Sequence, residues 1–341
     1  MVALEDWGWD ERWAAEFAAG PGYGLLPARL IEEQRGLYQV VTAAGERSAR
    51  IPGKVRRGAL SPAGLPAVGD WLAVQSVDGQ PVLAVRHILP RRSKLSRKAS
   101  GEGLWEQVIA SNLDSVFVMT AFNADFNARR LERFLTVSRE SGAQPVVLLN
   151  KLDTCPEPEP FLDKARAIAA GTPIVALSAK TGRGLEALAE WLKPGRTVGC
   201  IGTSGVGKST LINHLLGTKL LRTAATRAKD ERGRHTTTHR QLFLLPGGGV
   251  LLDTPGMREM QFWDVDQGLK KTFEEIDALA PSCRFKDCRH GAEPGCAVKA
   301  AVKEGRVAAA RLESWLKLKS ESDKRRKALE KAHYKRTGPK R

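Results

Sequence analysis

The stretch Gly202-Thr203-Ser204-Gly205-Val206-Gly207-Lys208-Ser209-Thr210 satisfies the phosphate-loop pattern G-x-x-x-x-G-K-[ST]. Residues 196–201 before it read as a short buried strand, and residues 210–216 after it as a helix closed by Gly217. Strand, glycine-rich loop and helix N-terminus is the context this pattern requires. Gly205 and Gly207 let the backbone curl so that successive N–H groups converge on phosphate oxygens at the positive end of a helix dipole. Lys208 would neutralise the β and γ phosphates, and the Ser209 hydroxyl would ligate Mg²⁺. The competing reading is a chance glycine-rich turn, so the other strand ends must decide.

In an open parallel sheet, ligands bind beyond the carboxyl ends of the strands. Residues 115–120 and 145–149 are continuous apolar strands flanking an amphipathic helix at 128–140, which means a parallel sheet covered by helices. A helix near 161–170, a strand at 174–177 and a helix at 184–192 continue the pattern. After Leu149 comes Asn150-Lys151-Leu152-Asp153, where the Asp153 carboxylate could accept from guanine N1–H and its exocyclic amine. Adenine would present a lone pair at N1 and be repelled. After Leu177 comes Ser178-Ala179-Lys180, where a backbone N–H could meet guanine O6. After Leu252 comes Asp253-Thr254-Pro255-Gly256, where Asp253 would hold Mg²⁺ through water and the Gly256 N–H would face the γ-phosphate. Each signal alone is weak, but four on successive strand ends of one sheet displace the chance reading.

These elements resemble those of the translation-factor-related GTPases, in rotated order. Asn150–Asp153 and Ser178–Lys180 precede Gly202, and Asp253–Gly256 comes last. The resemblance implies a circularly permuted GTPase, a rotation that leaves the three-dimensional site intact because the termini of a compact domain can lie close together. Residues 223–240 lack apolar periodicity and read as a mobile loop containing His235-Thr236-Thr237-Thr238. In GTPases a Thr from this loop reaches Mg²⁺; Thr237 is favoured, with Thr236 and Thr238 as alternatives, and a plain flexible loop is the competing reading. Ras-like enzymes place a Gln after the D-x-x-G glycine to orient the attacking water, but Met257 stands here. Intrinsic hydrolysis is therefore expected to be slow, with His235 as candidate for the catalytic, water-positioning role and a structural histidine as the other reading.

The chain has 341 residues, 42% hydrophobic and 27% charged, enough for two or three domains. Its net charge of +16 favours a polyanionic partner. It has neither a bilayer-length apolar run nor a signal-peptide start, so a cytoplasmic protein without membrane attachment is expected. Trp7, Trp9, Trp13 and Phe17 surround a short helix, for packing on the adjoining domain or for base stacking. Five short strands, at 28–32, 36–42, 47–51, 70–75 and 81–88, suit a small barrel of the oligonucleotide-binding (OB) type. Arg50, Lys54, Arg56, Arg57, Arg86, Arg91 and Arg92 would give it a phosphate-tracking face, unless the barrel is an adaptor with an ordinary basic surface. Residues 91–103 read as a mobile basic linker.

Towards the C-terminus, Cys283, Cys288, His290 and Cys296 form C-x₄-C-x-H-x₅-C, a closed set of four ligands for a structural zinc. Cys155 and Cys200 fall outside it, the latter as a core residue. Residues 302–316 read as helical. From residue 317 to 341, eleven Lys or Arg face three Asp or Glu, a net of +8, which favours an RNA-binding arm over a solvated helix.

The whole arrangement, with Gly233-Arg234-His235-Thr236-Thr237-Thr238 and Asp253-Thr254-Pro255-Gly256-Met257-Arg258, resembles the bacterial small-ribosomal-subunit-dependent GTPase family (RsgA/YjeQ type). The resemblance implies a monomeric GTP hydrolase that binds GTP and GDP, uses Mg²⁺, and contacts the small ribosomal subunit and its RNA. It further implies stimulation by that subunit and release of assembly factors late in its maturation. The expected fold is multi-domain α/β, divided as a 1–25 aromatic segment, a 26–92 barrel, a 93–110 linker, a 111–262 permuted GTPase, a 263–320 helical zinc module and a 321–341 basic tail. Nucleotide contacts are expected from Asn150, Lys151, Asp153, Ser178–Lys180, Gly202–Thr210 and Gly256, and Mg²⁺ contacts from Ser209, Thr237 and Asp253. Two other classes are a nucleotide kinase or ATP-driven nucleic-acid enzyme, which Asp153 argues against, and a passive RNA-binding module holding GTP as a structural ligand.

Overall fold

Apolar residues at every second position between glycine-rich turns build the N-terminal strands: β1 (Leu26–Gln34), β2 (Leu37–Thr42), β3 (Gly45–Arg50), β4 (Trp71–Gln75) and β5 (Leu83–Ile88). The computed structural model describes residues 2–337 other than Pro21, Arg35, Leu60, Asp78, 100–104, Asp125, Ala170, 219–239 and 254–264. The five strands close into a barrel in the order β1-β2-β3-β5-β4, and β4 returns to β1 through Ala28↔Leu72 and Arg29↔Trp71. Ala28, Leu30, Val40, Ala49, Leu72 and Val74 are buried. Ahead of the barrel, α1 (Glu11–Ala19) is capped by Asp10, whose carboxylate accepts from the Trp13 N–H. Trp13 is buried and Trp9 meets Trp71 edge-on at 4.7 Å, so these aromatics pack on the barrel.

Two of the cations assigned to a phosphate-tracking face are held by partners within the chain. Arg91 binds both carboxylate oxygens of the buried Asp70 and the carbonyls of Ala63 and Leu65. Arg92 pairs with Asp10 and lies 3.8 Å over the Trp13 ring. The sequence hides this, because Arg91 and Arg92 sit far along the chain from Asp70 and Asp10. Arg50, Arg56, Arg57 and Arg86 remain exposed.

The expected linker is not a plain linker. Strand β6 (Lys94–Lys98) pairs antiparallel with β7 (Glu106–Ser111), and Leu95, Val108 and Ile109 are buried. In β6 Leu95 stands alone among Lys94, Ser96, Arg97 and Lys98, so the sequence shows no apolar alternation there.

The second sheet comprises β8 (Ser115–Ala121), β9 (Gln144–Asn150), β10 (Ile174–Ala176), β11 (Thr197–Gly202), β12 (Gln241–Leu244) and β13 (Val250–Asp253), in the order β10-β9-β8-β11-β13-β12. All its pairings are parallel except that of β12 with β13. Val116, Val118, Val147 and Leu149 join one apolar cluster and Phe117, Met119, Val146 and Leu148 another. Both faces are therefore buried, which is why these strands read as unbroken apolar runs. The edge strand β12 meets the barrel through one pairing, Glu32↔Gln241.

One face of that sheet carries helix Ala128–Glu140, where Leu131, Phe134 and Leu135 are buried at helical spacing, each contributing about 1.5–3 kcal/mol. Helix Glu159–Ile168 packs beside it, while helix Lys208–Leu216, ending at Gly217 (φ 66°), covers the other face. The helix expected at 184–192 is a single 3₁₀ segment, Leu185–Glu190.

The C-terminal part is helical: Asp266–Thr272, Glu274–Leu279, Ala297–Lys303 and Ala309–Thr337. A single helix at 302–316 does not form, since Gly305 (φ 75°) turns the chain between the last two. The basic tail instead continues the last helix through Thr337, with Lys317, Lys324, Lys327 and Lys331 exposed along it. Arg311 fastens this helix to helix Ala128–Glu140 and to the neighbouring C-terminal helices. It pairs with Glu132 (3.0 Å) and Glu275 (2.6 Å), donates to Thr272 O, and lies 4.5 Å over the Phe273 ring. Gly268 lies so close to helix Ala128–Glu140 that an added Cβ would fall 2.1 Å from Thr136 O.

Candidate functional site

The ends of β9, β10, β11 and β13 bring the sequence motifs to one rim of the sheet. Asn150 holds three of them together. Its Nδ2 donates to Val206 O in the phosphate loop (2.7 Å), and its Oδ1 accepts from Ala179 N–H (2.8 Å). Gly207 (φ 109°) must lack a side chain, because a Cβ would fall 2.2 Å from Asn150 Nδ2. Asn150 was expected among the nucleotide contacts; here it is the bracket that sets the loops against each other.

Lys151 adopts a left-handed conformation (φ 69°), turning the chain so that Asp153 stands exposed beyond the strand end. Asp153 Oδ1 accepts from the Ser178 hydroxyl at 2.7 Å, and Ser178 Oγ in turn accepts from Thr181 N–H. The Asp153 carboxylate is thereby oriented, with a second oxygen open to a donor pair. Ala179 is buried and Lys180 exposed.

In the phosphate loop, Lys208 Nζ donates to Gly202 O and Thr203 O, both at 2.7 Å, so the ammonium sits over the loop. Ser209 and Thr210 lie on the first turn of the helix that Lys208 opens, half-buried, where N–H groups and dipole favour an anion. Asp253 closes β13, buried and next to β11. Beneath the loop, burial pushes the Cys200 thiol up to about 12, so it stays a neutral core group. His235, Thr236, Thr237, Thr238, Gly256 and Met257 lie outside the described residues.

The sequence reading missed Arg130, which lines a narrow gap with Met119, Thr120 and Thr203 beside the phosphate loop. Its only sequence signal is a cation in the first turn of a helix that comes after a strand end. A cavity of about 350 Å³ lies at the amino ends of the strands, among Trp9, Asp10, Arg29, Arg92, Asp114 and Arg196. Its rim charges satisfy one another, Arg92 with Asp10 and Arg196 with Asp114. The buried Arg29 donates to Asn112 O and Thr197 Oγ1, so this is a junction between barrel and sheet.

Cys283, Cys288, His290 and Cys296 place their donor atoms within 4.8 Å of one another. His290 Nδ1 lies 3.6 Å from Cys283 Sγ and 3.4 Å from Cys296 Sγ, edges that fit a tetrahedral zinc. Burial lowers the His290 pKa, favouring the neutral imidazole a metal needs.

A parallel sheet with these loops at its carboxyl ends, in this chain order, defines a circularly permuted phosphate-loop GTPase. The sequence pattern of the RsgA GTPase family matches residues 88–263, and the chain belongs to that family. It is 48% identical over 87% of its length to the small ribosomal subunit biogenesis GTPase RsgA 2 of Lactiplantibacillus plantarum, 84% of which is covered. It is 45% identical over 94% of its length to small ribosomal subunit biogenesis GTPase RsgA of Opitutus terrae, 90% of which is covered. Among solved structures, YjeQ from Thermotoga maritima superposes with a TM-score of 0.65 at 26% identity, over 87% of this chain and 98% of that one. YloQ, a circularly permuted GTPase, shares the fold with a TM-score of 0.63 at 23% identity, over 89% of this chain and 96% of that one.

Proposed function

We propose that this GTPase binds the small ribosomal subunit through ribosomal RNA, hydrolyses GTP there, and so releases assembly factors late in the subunit's maturation. The observation that carries the nucleotide half is Asn150, which ties the phosphate loop to both base-recognition loops. Asp153, oriented by Ser178, accepts from guanine N1–H and the amino group. Because the Ala179 N–H is spent on Asn150, guanine O6 falls to the Lys180 N–H. Residues 202–210 cradle the phosphates, with Lys208 on the β and γ groups and Gly256 N–H on the γ group. Ser209, Thr237 and, through water, Asp253 would hold the Mg²⁺ that accompanies GTP, which would supply charge neutralisation on the phosphates.

Zinc would join Cys283, Cys288, His290 and Cys296 and serve structure, since four protein ligands leave no open position. The relatives' names supply the ribosomal half of the reading. The exposed cations of the last helix supply its electrostatics. The protein acts as a monomer in the cytoplasm; no described helix is long and apolar enough to cross a membrane. His235 positions the attacking water once the subunit is bound.

GTP hydrolysis measured alone and with purified small or large subunits tests this. Small subunits should accelerate turnover, and His235→Ala should keep GTP and subunit binding while losing most of the acceleration. Equal rates with and without small subunits would overturn the reading.

A further inference from the structure

Between two of the clustered cysteines, the chain makes a tight turn in which Cys288 N–H donates to Phe285 O (3.2 Å). The preceding residue is fixed as well, with Arg284 N–H donating to Gly295 O (3.0 Å). Gly295 (φ 71°) leaves room for the Arg284 stem, as a Cβ there would fall 2.9 Å from Arg284 Cβ. On this turn Phe285 is 41% exposed, although a ring of that size is normally buried. The Arg284 guanidinium lies 5.5 Å from the ring centroid. Arg284, Lys286 and Arg289 are all exposed, as is Asp287 between them, which leaves the turn with a net positive charge, and none of the three cations forms an ion pair among the described residues.

A rigid turn presenting one aromatic ring amid three unpaired cations has the physical requirements for holding an unpaired nucleotide. The ring offers a face to a base, and the cations offer charge to the phosphates on either side. The turn is already ordered, so stacking costs little conformational entropy. An apolar protein groove would have to desolvate the cations to reach the ring, and a duplex keeps its bases stacked out of reach. We infer that Phe285 is a base-stacking contact for single-stranded RNA, flanked by phosphate contacts from Arg284, Lys286 and Arg289. The inference rests on the proposed binding to ribosomal RNA and names the form of RNA that this turn takes.

The test uses the full zinc-loaded chain, a labelled oligouridine RNA and a labelled RNA duplex of equal length. Measurements are made at high salt, where phosphate contacts weaken and stacking persists. Phe285→Ala should weaken single-strand binding by about 5- to 150-fold, as loss of one stacked base implies. It should leave duplex binding, the salt slope and zinc content unchanged. Phe285→Trp should restore affinity, with its indole fluorescence quenched on binding the single strand. Unchanged single-strand affinity in Phe285→Ala, or an equal loss on duplex, overturns the inference. So does weaker small-subunit binding with unchanged oligouridine affinity, since the ring would then dock on a ribosomal protein. If Phe285 governs single-strand binding but the wild type ignores small subunits, the proposed function fails and the stacking contact stands.

Discussion

Replacing Asn150 by Ala should cost GTP affinity out of proportion to the size of the change. Asn150 is 3% exposed, and its removal strands two backbone groups, the Val206 carbonyl and the Ala179 N–H. An unpaired buried polar group costs about 1–3 kcal/mol, so the pair sets an upper range of roughly 2–6 kcal/mol. Both groups lie on loops at the rim, where movement and water recover part of that, leaving about 2–4 kcal/mol. The loss falls on the relative placement of the phosphate and base loops, so GTP should dissociate with a Kd about 30- to 1,000-fold higher. Titration with a fluorescent GTP analogue measures this, and thermal unfolding separates it from global instability. Asn150→Asp is the control: it keeps an acceptor for Ala179 N–H but sets a carboxylate oxygen against the Val206 carbonyl. It should fold yet bind GTP poorly. If Asn150→Ala binds GTP as the wild type does, the bracket has no function and the reasoning fails.

Asp153→Asn should weaken GTP binding and favour xanthosine triphosphate, because one acceptor becomes a donor; unaltered base preference in competition binding would remove Asp153 from the guanine site. Replacing both Cys283 and Cys296 by Ser should abolish bound zinc, about one per chain in metal analysis of the wild type, and loosen the C-terminal helices in hydrogen exchange. A metal-free wild type with those helices fully protected would contradict it. Arg311→Met leaves Glu132, 3% exposed, without its cation and should lower unfolding stability by about 3–5 kcal/mol, partly recovered by adding Glu132→Gln. Denaturant titration reads both, and a double variant no better than the single one would show that the pair is not the cause.

Elements governed by one local period were legible in the sequence. Helix Ala128–Glu140 and strands β8 and β9 emerge directly from their apolar spacing. Elements with too few apolar residues to show a period were not, and β6, whose one apolar residue is the buried Leu95, is the example. Chain order made the strand-end motifs readable, but not what Asn150 does, since its partner Val206 lies 56 residues away. The same distance problem misassigned Arg91 and Arg92, whose carboxylates appear only once the barrel closes. Gly305 carried a helix-breaking signal that the apolar pattern at 302–316 outweighed.

The strand order also decides how the chain is born. Synthesis delivers β8, β9 and β10 first, yet β8 lies in the middle of the finished sheet and its second neighbour, β11, is still unmade. Ser115 waits for Val198, about 80 residues later. At roughly 5–20 residues per second, that is a delay of about 4–16 s in which a predominantly apolar strand has one open edge. During that interval the half proposed to recognise the base exists without the phosphate loop, so nucleotide cannot template it. Guanine nucleotide can stabilise only the completed chain, and the nascent one must be shielded from partner strands by other means, such as a bound chaperone or the barrel already folded ahead of it.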